Sequence, residues 1–279
     1  MSIVKKMLNI DGRILFVIMF IAVAFPLLHP IVLPMVIQPY SQQAYDFANS
    51  IPNGSYVLVE GGNIAATDPA CGPALSLFVY HMMTKNCKLV FFELTAEGAF
   101  WTQKEINVGL GKLPASVPAQ NGVNWVNLGY IAGQESGAAA LAANIRSTVS
   151  KDYFGTSIDT IPMMNNINTA KDFQAAFWFG GSEGSVPYGV RQLVMPYNLP
   201  LGASCTTNEA PNYSPYLQAG QLKGLFAGVR GSAEYEFLMG VPGTALGQSM
   251  ATNIGGLYWL ILILLGNILY FISRARGEK

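Results

Sequence analysis

Apolar positions in this chain form two kinds of pattern. Near either end they run unbroken: fifteen residues from Ile14 to Leu28 and nineteen from Ile254 to Ile272 carry no charged side chain. Each run approaches the roughly 20 residues that a helix needs to cross a hydrocarbon core about 30 Å thick, so two membrane helices are predicted. Between them the pattern changes to short apolar runs of strand length. Five strands are predicted at 55–62, 88–95, 124–133, 173–181 and 191–200, with helices at 72–86, 100–113 and 135–154 and a short connection at 182–190. Most of the strand runs are nearly continuous rather than alternating, as expected when both faces of a sheet are covered. The β-α-β rhythm predicts a three-layer α/β domain with a mainly parallel, doubly wound sheet, Rossmann-like or flavodoxin-like, flanked by N- and C-terminal transmembrane helices.

Proline sets how the first helix ends. Pro26, Pro30 and Pro34 recur every four residues, and each removes a helical donor, so the helix is expected to stop or kink near Leu28. The resulting division is a cytoplasmic N-terminus (1–13), a membrane helix with a proline-rich exit (14–37), an α/β domain (40–240), a C-terminal helix with the second span (241–273) and a tail (274–279). Lys5, Lys6 and Arg13 precede the first span and Arg274, Arg276 and Lys279 follow the second, whereas 38–50 and 241–253 hold no Lys or Arg. This bias places both termini in the cytoplasm and the α/β domain outside a cell membrane. A cleavable signal peptide is the rival reading of the first run. Its apolar stretch is longer than a usual signal core, and no A-x-A-like site follows before Gln38.

Composition agrees with a membrane protein: mean hydropathy is positive and only 11% of residues are charged. Sixteen basic residues balance sixteen acidic ones, so no net field attracts nucleic acid, and the lipid bilayer is the expected surface partner.

Candidate chemistry lies where strands end, since open α/β sheets bind ligands outside their carboxyl ends. Glu60 and Glu93 end adjacent predicted strands, and Glu135, Ser182 and Glu183 stand in the following loops. These five are the candidate ligand cleft, either as an acid/base or hard-cation set or as ordinary solvated rim residues. The chain lacks G-x-G-x-x-G at the first βα turn and has no Walker sequence, so no cofactor is expected. Only His29 and His81 supply imidazole, and neither is placed at a strand end. Histidine-dependent triads and His-rich metal sites are therefore disfavoured, and no catalytic or metal-ligand set is assigned.

Cys71 and Cys87 bracket one predicted helix about 24 Å long, too far to bond. Cys71 and Cys205 both fall in loops at carboxyl ends of strands, which makes them the candidate disulfide in an oxidising exterior, with free buried thiols as the alternative. At the C-terminal end, Gly243, Gly247, Ala251 and Gly255 recur every four residues along a helix that continues into the membrane. Such small faces let helix backbones approach, and Asn267 adds a polar group for an interhelical bond. Residues 222–240 are expected to form a helix too, with Gly224, Gly228 and Gly231 on one contact face.

The strand "NWVNLGYIAG", the "DYFGT" turn and the closing "YLQAGQLKGLFAGVRGSAEYEFLMGVPG" with its terminal span resemble an uncharacterised family of prokaryotic two-span membrane proteins with an extracytoplasmic α/β domain. The resemblance implies that architecture and carries no activity. Two functional expectations follow from the residues. One is a non-catalytic membrane-anchored subunit, accessory or scaffold, assembling as a homo-oligomer or with other membrane subunits. The other is a membrane-tethered receptor or enzyme with its site at the carboxyl ends of the strands.

Overall fold

The computed structural model describes residues 6–7, 9–30, 34–180 and 185–277. The chain divides into a helical unit, Met1–Leu33 with Pro242–Lys279, and a sheet unit, Pro34–Val241.

In the sheet unit the apolar runs become β1 (Tyr56–Glu60), β2 (Lys88–Glu93), β3 (Trp125–Tyr130), β4 (Ala175–Gly180), β5 (Leu201–Cys205) and β6 (Leu225–Ala227). They form one sheet in the order β3-β2-β1-β4-β5-β6, and every neighbouring pair is parallel. The chain builds outward from β1 to β3, then crosses back to lay β4 on the other side of β1. The winding therefore reverses between β1 and β4, which is where such sheets open a crevice at their carboxyl edge.

Alternate residues of each strand feed two separate cores. Val57, Val59, Leu89, Phe91, Phe177, Phe179 and Phe226 pack on one face. That face is covered by α2 (Pro39–Ser50), α3 (Asp68–Thr84), α4 (Gly98–Gly111) and α10 (Gly228–Met239) through Ala44, Phe78, Ile106 and Tyr235. Leu58, Val90, Phe92, Trp178 and Leu201 pack on the other. Its cover is α5 (Glu135–Ala143), α6 (Ile145–Thr148), α7 (Ser185–Gly189) and α9 (Ala210–Gln218), with Leu141, Ile145, Val186 and Tyr213 inward.

Three expectations need correction. Residues 191–200 hold no strand: 191–197 are helical and 198–200 are irregular. A π-helical turn (Val190–Val194) continues α7, and α8 (Met195–Tyr197) follows it. Val186, Val190 and Leu193 are buried while Arg191 and Met195 are exposed, a helical repeat hidden inside an apolar run. The fifth strand is instead Leu201–Cys205, whose small residues read as a loop. A Cβ on Gly202 would lie 2.4 Å from the Phe177 ring, so the neighbouring aromatic fills the layer that Gly202 leaves empty. Residues 222–240 are not one helix: β6 occupies Leu225–Ala227 and α10 begins at Gly228. Gly224 lies against the Ala44 backbone, and Gly228, at φ +62, makes the strand-to-helix turn. Gly231 faces the Phe226 backbone, where a Cβ would sit 2.7 Å away. The spacing of four and then three residues reflects a βα turn, not one helical face. Arg230 and Glu234 do pair within α10, at 2.9 Å.

The predicted helix at 135–154 is interrupted at Asn144, whose side chain caps α6 by accepting from the Ser147 amide. That helix breaks because a capping residue competes with the backbone for its own turn.

The helical unit pairs α1 (Gly12–Leu28) with α11 (Thr244–Ala275). Tyr258 donates to the Leu15 carbonyl at 2.7 Å, and a Cβ on Gly255 would lie 3.5 Å from Val23. A Cβ on Gly247 would lie 2.8 Å from the Pro26 carbonyl. Partners rise along one helix as they fall along the other, so the two are antiparallel. Gly247, Ala251 and Gly255 lie within α11, with Gly243 as its N-cap. Asn267 donates to the Ile263 carbonyl of its own helix, 2.8 Å away. Among the described residues, α11 is the one helix long and apolar enough to cross a membrane, whereas α1 has 17 residues. Cysteines introduced as Val23→Cys with Gly255→Cys are expected to cross-link readily under mild oxidation, and Val23→Cys with Leu269→Cys to cross-link poorly. Gel mobility reads the difference, and equal yields would contradict this register.

Candidate ligand site at the carboxyl edge

Glu60 is the last residue of β1, in register with Phe92 of β2 and Trp178 of β4. Those two side chains project from the same face of the sheet as Glu60, and their rings meet edge to face at 5.3 Å. Glu60 is fully buried, and neither carboxyl oxygen has a hydrogen-bond partner. Removal from water favours the uncharged acid. Burial pushes its pKa up to about 8, and the Leu94 amide, short of hydrogen-bond geometry, opposes the shift only in part.

Glu93 ends β2, just past a register shift between Phe91 and Glu93. It too is fully buried. Thr102 of α4 donates to one of its oxygens, and the other has no hydrogen-bond partner. Burial and then the charge of Glu60 hold its carboxyl well above the usual range. The Gly61–Gly62 turn runs between the two acids. A Cβ on Gly61 would lie 2.3 Å from Glu93 Oε1, and one on Gly62, at φ +57, would lie 2.6 Å from Glu60 Oε2. Only glycine lets the backbone pass between carboxyls this close. Two buried acids bordering one turn resist double ionisation, so the pair retains protons at neutral pH.

Further unpartnered groups gather around the same reversal of the sheet. Asn63, two residues past the turn's start, is fully buried with both amide atoms unpartnered. Trp178 Nε1 has no partner, and it lies on the face of β4 that pairs with Glu60. Ser185 opens α7 with its hydroxyl unpartnered and buried. That hydroxyl is 2.0 Å from where a Cβ on Gly180, at the end of β4, would stand. A Cβ on Gly62 would in turn lie 2.8 Å from Gly180 Cα, so the loop after β1 leans on the end of β4. Each buried polar atom without a partner costs about 1–3 kcal/mol. Several of them beside the carboxyl ends of β1 and β4 therefore call for a partner, ordered water or a ligand, that packing alone does not supply.

The electrostatics disfavour an anion there. Lys104 is engaged by Asp68 at 2.5 Å and Glu105 at 2.9 Å. Asp68 itself occupies the first turn of α3, where it opposes the positive end of the helix that a phosphate would use.

The other sequence candidates fall elsewhere. Glu135 begins α5 and is gripped by Arg191 at 2.7 and 2.8 Å and by Gln192 at 2.9 Å. The Arg191 hydrogen bonds hold its carboxyl down at about 2. It is a partly exposed ion pair joining α5 to the π-helical turn, with its acceptors in use. Ser182 and Glu183 lie outside the described residues. Asn63, Thr102 and Trp178 carry no signal of a site in the sequence, and Ser185 stands in "GGSEGS" without the G-x-S-x-G spacing of a nucleophile. Asn63 lies in the loop "EGGN", and the others enter through cross-strand register and helix packing.

The candidate disulfide is not formed. Cys71 and Cys205, like Cys87, are free and buried. Burial pushes the Cys71 thiol up to about 12 and the Cys205 thiol in the same direction, so both act as small apolar side chains. The native chain is expected to react negligibly with a thiol reagent and to yield three equivalents once denatured without reductant. One equivalent would mean that a disulfide exists.

Among the described residues, no three His, Cys, Asp or Glu side chains gather into a metal-binding group. No protein-family model matches the chain, and no curated protein or solved structure matches it either.

Proposed function

We propose that this protein is a membrane-anchored α/β domain that binds a small ligand at the carboxyl edge of its sheet, between β1 and β4. The observation that carries this reading is Glu60: a fully buried carboxyl with two unpartnered oxygens, at the point where the winding of the sheet reverses. Asn63, Trp178 and Ser185 add unpartnered polar atoms around it. Perturbed acids in such a crevice favour a binding or catalytic site over a packed rim.

The anchor is the pair α1 and α11. At 1.5 Å per residue, α11 is about 48 Å long and crosses the hydrocarbon core with turns to spare, while α1, at about 25 Å, inserts as its packing partner. Their antiparallel register brings the end carrying Lys6 and Arg13 level with the end carrying Arg274 and Arg276. This supports both termini lying in the cytoplasm and the sheet unit outside it. An accessory-subunit role drew on the small face of α11 and on Asn267. Gly247 and Gly255 lie against α1 and Asn267 bonds within its own helix, so ligand binding is the better supported reading.

The test is thermal stabilisation of the detergent-extracted full chain by a panel of neutral, anionic and cationic small molecules. At least one class is expected to raise the melting temperature of the wild type and not that of Glu60→Leu. No stabilisation by any class, or equal stabilisation of both proteins, would refute the reading.

A further inference from the structure

We infer that the ligand is an uncharged, polyhydroxylated small molecule of the sugar or cyclitol type, held between Glu60, Asn63, Trp178 and Ser185. This rests on the carboxyl-edge site being a ligand site and names the chemistry it selects. The unpartnered atoms include donors and acceptors together. The Trp178 indole N–H and the Asn63 amide nitrogen can only donate; Asn63 Oδ1 can only accept. The Ser185 hydroxyl does both, and Glu60 offers two oxygens. Trp178 is fully buried, and so is Asn63; Ser185 is 1% exposed.

A ligand that satisfies such a set must itself accept and donate at neighbouring atoms, as vicinal hydroxyls do. A cation would leave the Trp178 N–H and the Asn63 amide nitrogen unpaired. An anion would meet Glu60 and Glu93, and Lys104 of α4 is already held by Asp68 and Glu105. Phe92 and Trp178, on the same face of the sheet as Glu60 and fully buried, keep bulk water from this end of the strands. Burial favours the uncharged form of both acids, which agrees with a neutral guest.

The experiment titrates the detergent-extracted full chain with D-ribose and myo-inositol, and in parallel with ribose 5-phosphate, magnesium chloride and putrescine. Calorimetry and tryptophan emission are read together, and Trp178→Phe identifies the emission that belongs to the site. Saturable binding of ribose or inositol to the wild type is expected. Affinity should fall about tenfold or more in Glu60→Leu and stay within a few-fold in Glu60→Gln, which keeps a donor and an acceptor. Lys104→Gln should leave it unchanged. Tighter binding of the phosphate, magnesium or putrescine would overturn the neutral-polyol class while leaving the site standing. Loss of binding in Glu60→Gln as complete as in Glu60→Leu would overturn it too, because a carboxylate charge would then be required. No binding of any compound, with Glu60→Leu and wild type equally folded, would overturn both readings.

Discussion

Glu60→Gln is expected to stabilise the sheet unit at neutral and higher pH and to flatten its response to pH. In the native state the carboxyl loses its proton near 8 because burial opposes the charge, whereas in the unfolded chain it ionises near 4.5. The folded state therefore holds a proton that the unfolded state releases. The stability this proton contributes is fully present below about pH 4.5. It falls by up to about 1.4 kcal/mol per pH unit as pH rises towards 8, a loss of several kcal/mol across the window. Glu93, also raised, extends the decline upward. Glutamine has no proton to lose and nearly the same shape, so the variant lacks the Glu60 part of the decline. Urea unfolding of the detergent-extracted chain, followed by tryptophan emission from pH 4 to 9, measures the effect. Parallel profiles for wild type and variant would mean that Glu60 is solvated.

The second large effect is expected at the turn between the acids. Gly62→Ala places a methyl 2.4 Å from the Phe179 carbonyl, 2.6 Å from Glu60 Oε2 and 2.8 Å from Gly180 Cα. The residue also adopts φ +57, which costs a side-chain-bearing residue roughly 1–2 kcal/mol by itself. Two of those contacts are backbone and cannot swing aside, so the loop after β1 has to shift off the end of β4. A loss of about 3 kcal/mol or more is expected, together with disruption of the Glu60 environment. Gly54→Ala is the control: Gly54 has φ +80 with nothing within 4 Å of an added Cβ, so it should lose only the backbone part. Equal losses at the two positions, read from urea midpoints, would contradict the close packing of the turn.

The parts of this architecture that were legible in the sequence were those where one physical cause dominates. Strands β1 to β4 read correctly because helices cover both faces of the sheet, which makes each strand a continuous apolar run. Glu60 and Glu93 read as strand-end acids for the same reason: a charge-bearing residue closes an apolar run. Strand β5 was invisible because most of its side chains are small, and at Gly202 the cause is Phe177 of the neighbouring strand, which fills that layer. That is a tertiary cause with no local signature. Residues 191–200 misled because a run rich in apolar residues satisfies strand and helix patterns alike, and only the buried spacing of Val186, Val190 and Leu193 separates them.

The glycines at 224, 228 and 231 show a different limit. Their spacing suits a helix face, but each is required by a separate close approach, to Ala44, to Thr207 at a turn, and to Phe226. Trp178 was unreadable as a site residue, since its proximity to Glu60 arises from pairing β1 with a strand more than a hundred residues away. Composition names the residue types, but register decides which of them meet.

The protonation of Glu60 is the claim on which the neutral ligand and the pH response both depend. Carbon-13 NMR of the full chain labelled at glutamate carboxyl carbons tests it directly, with the Glu60 signal assigned by its disappearance in Glu60→Gln. The expected result is a protonated carboxyl at pH 7 that titrates near 8. A signal already ionised at pH 7, with a midpoint in the ordinary carboxylate range near 4.5, would show the crevice to be open to water and contradict the account.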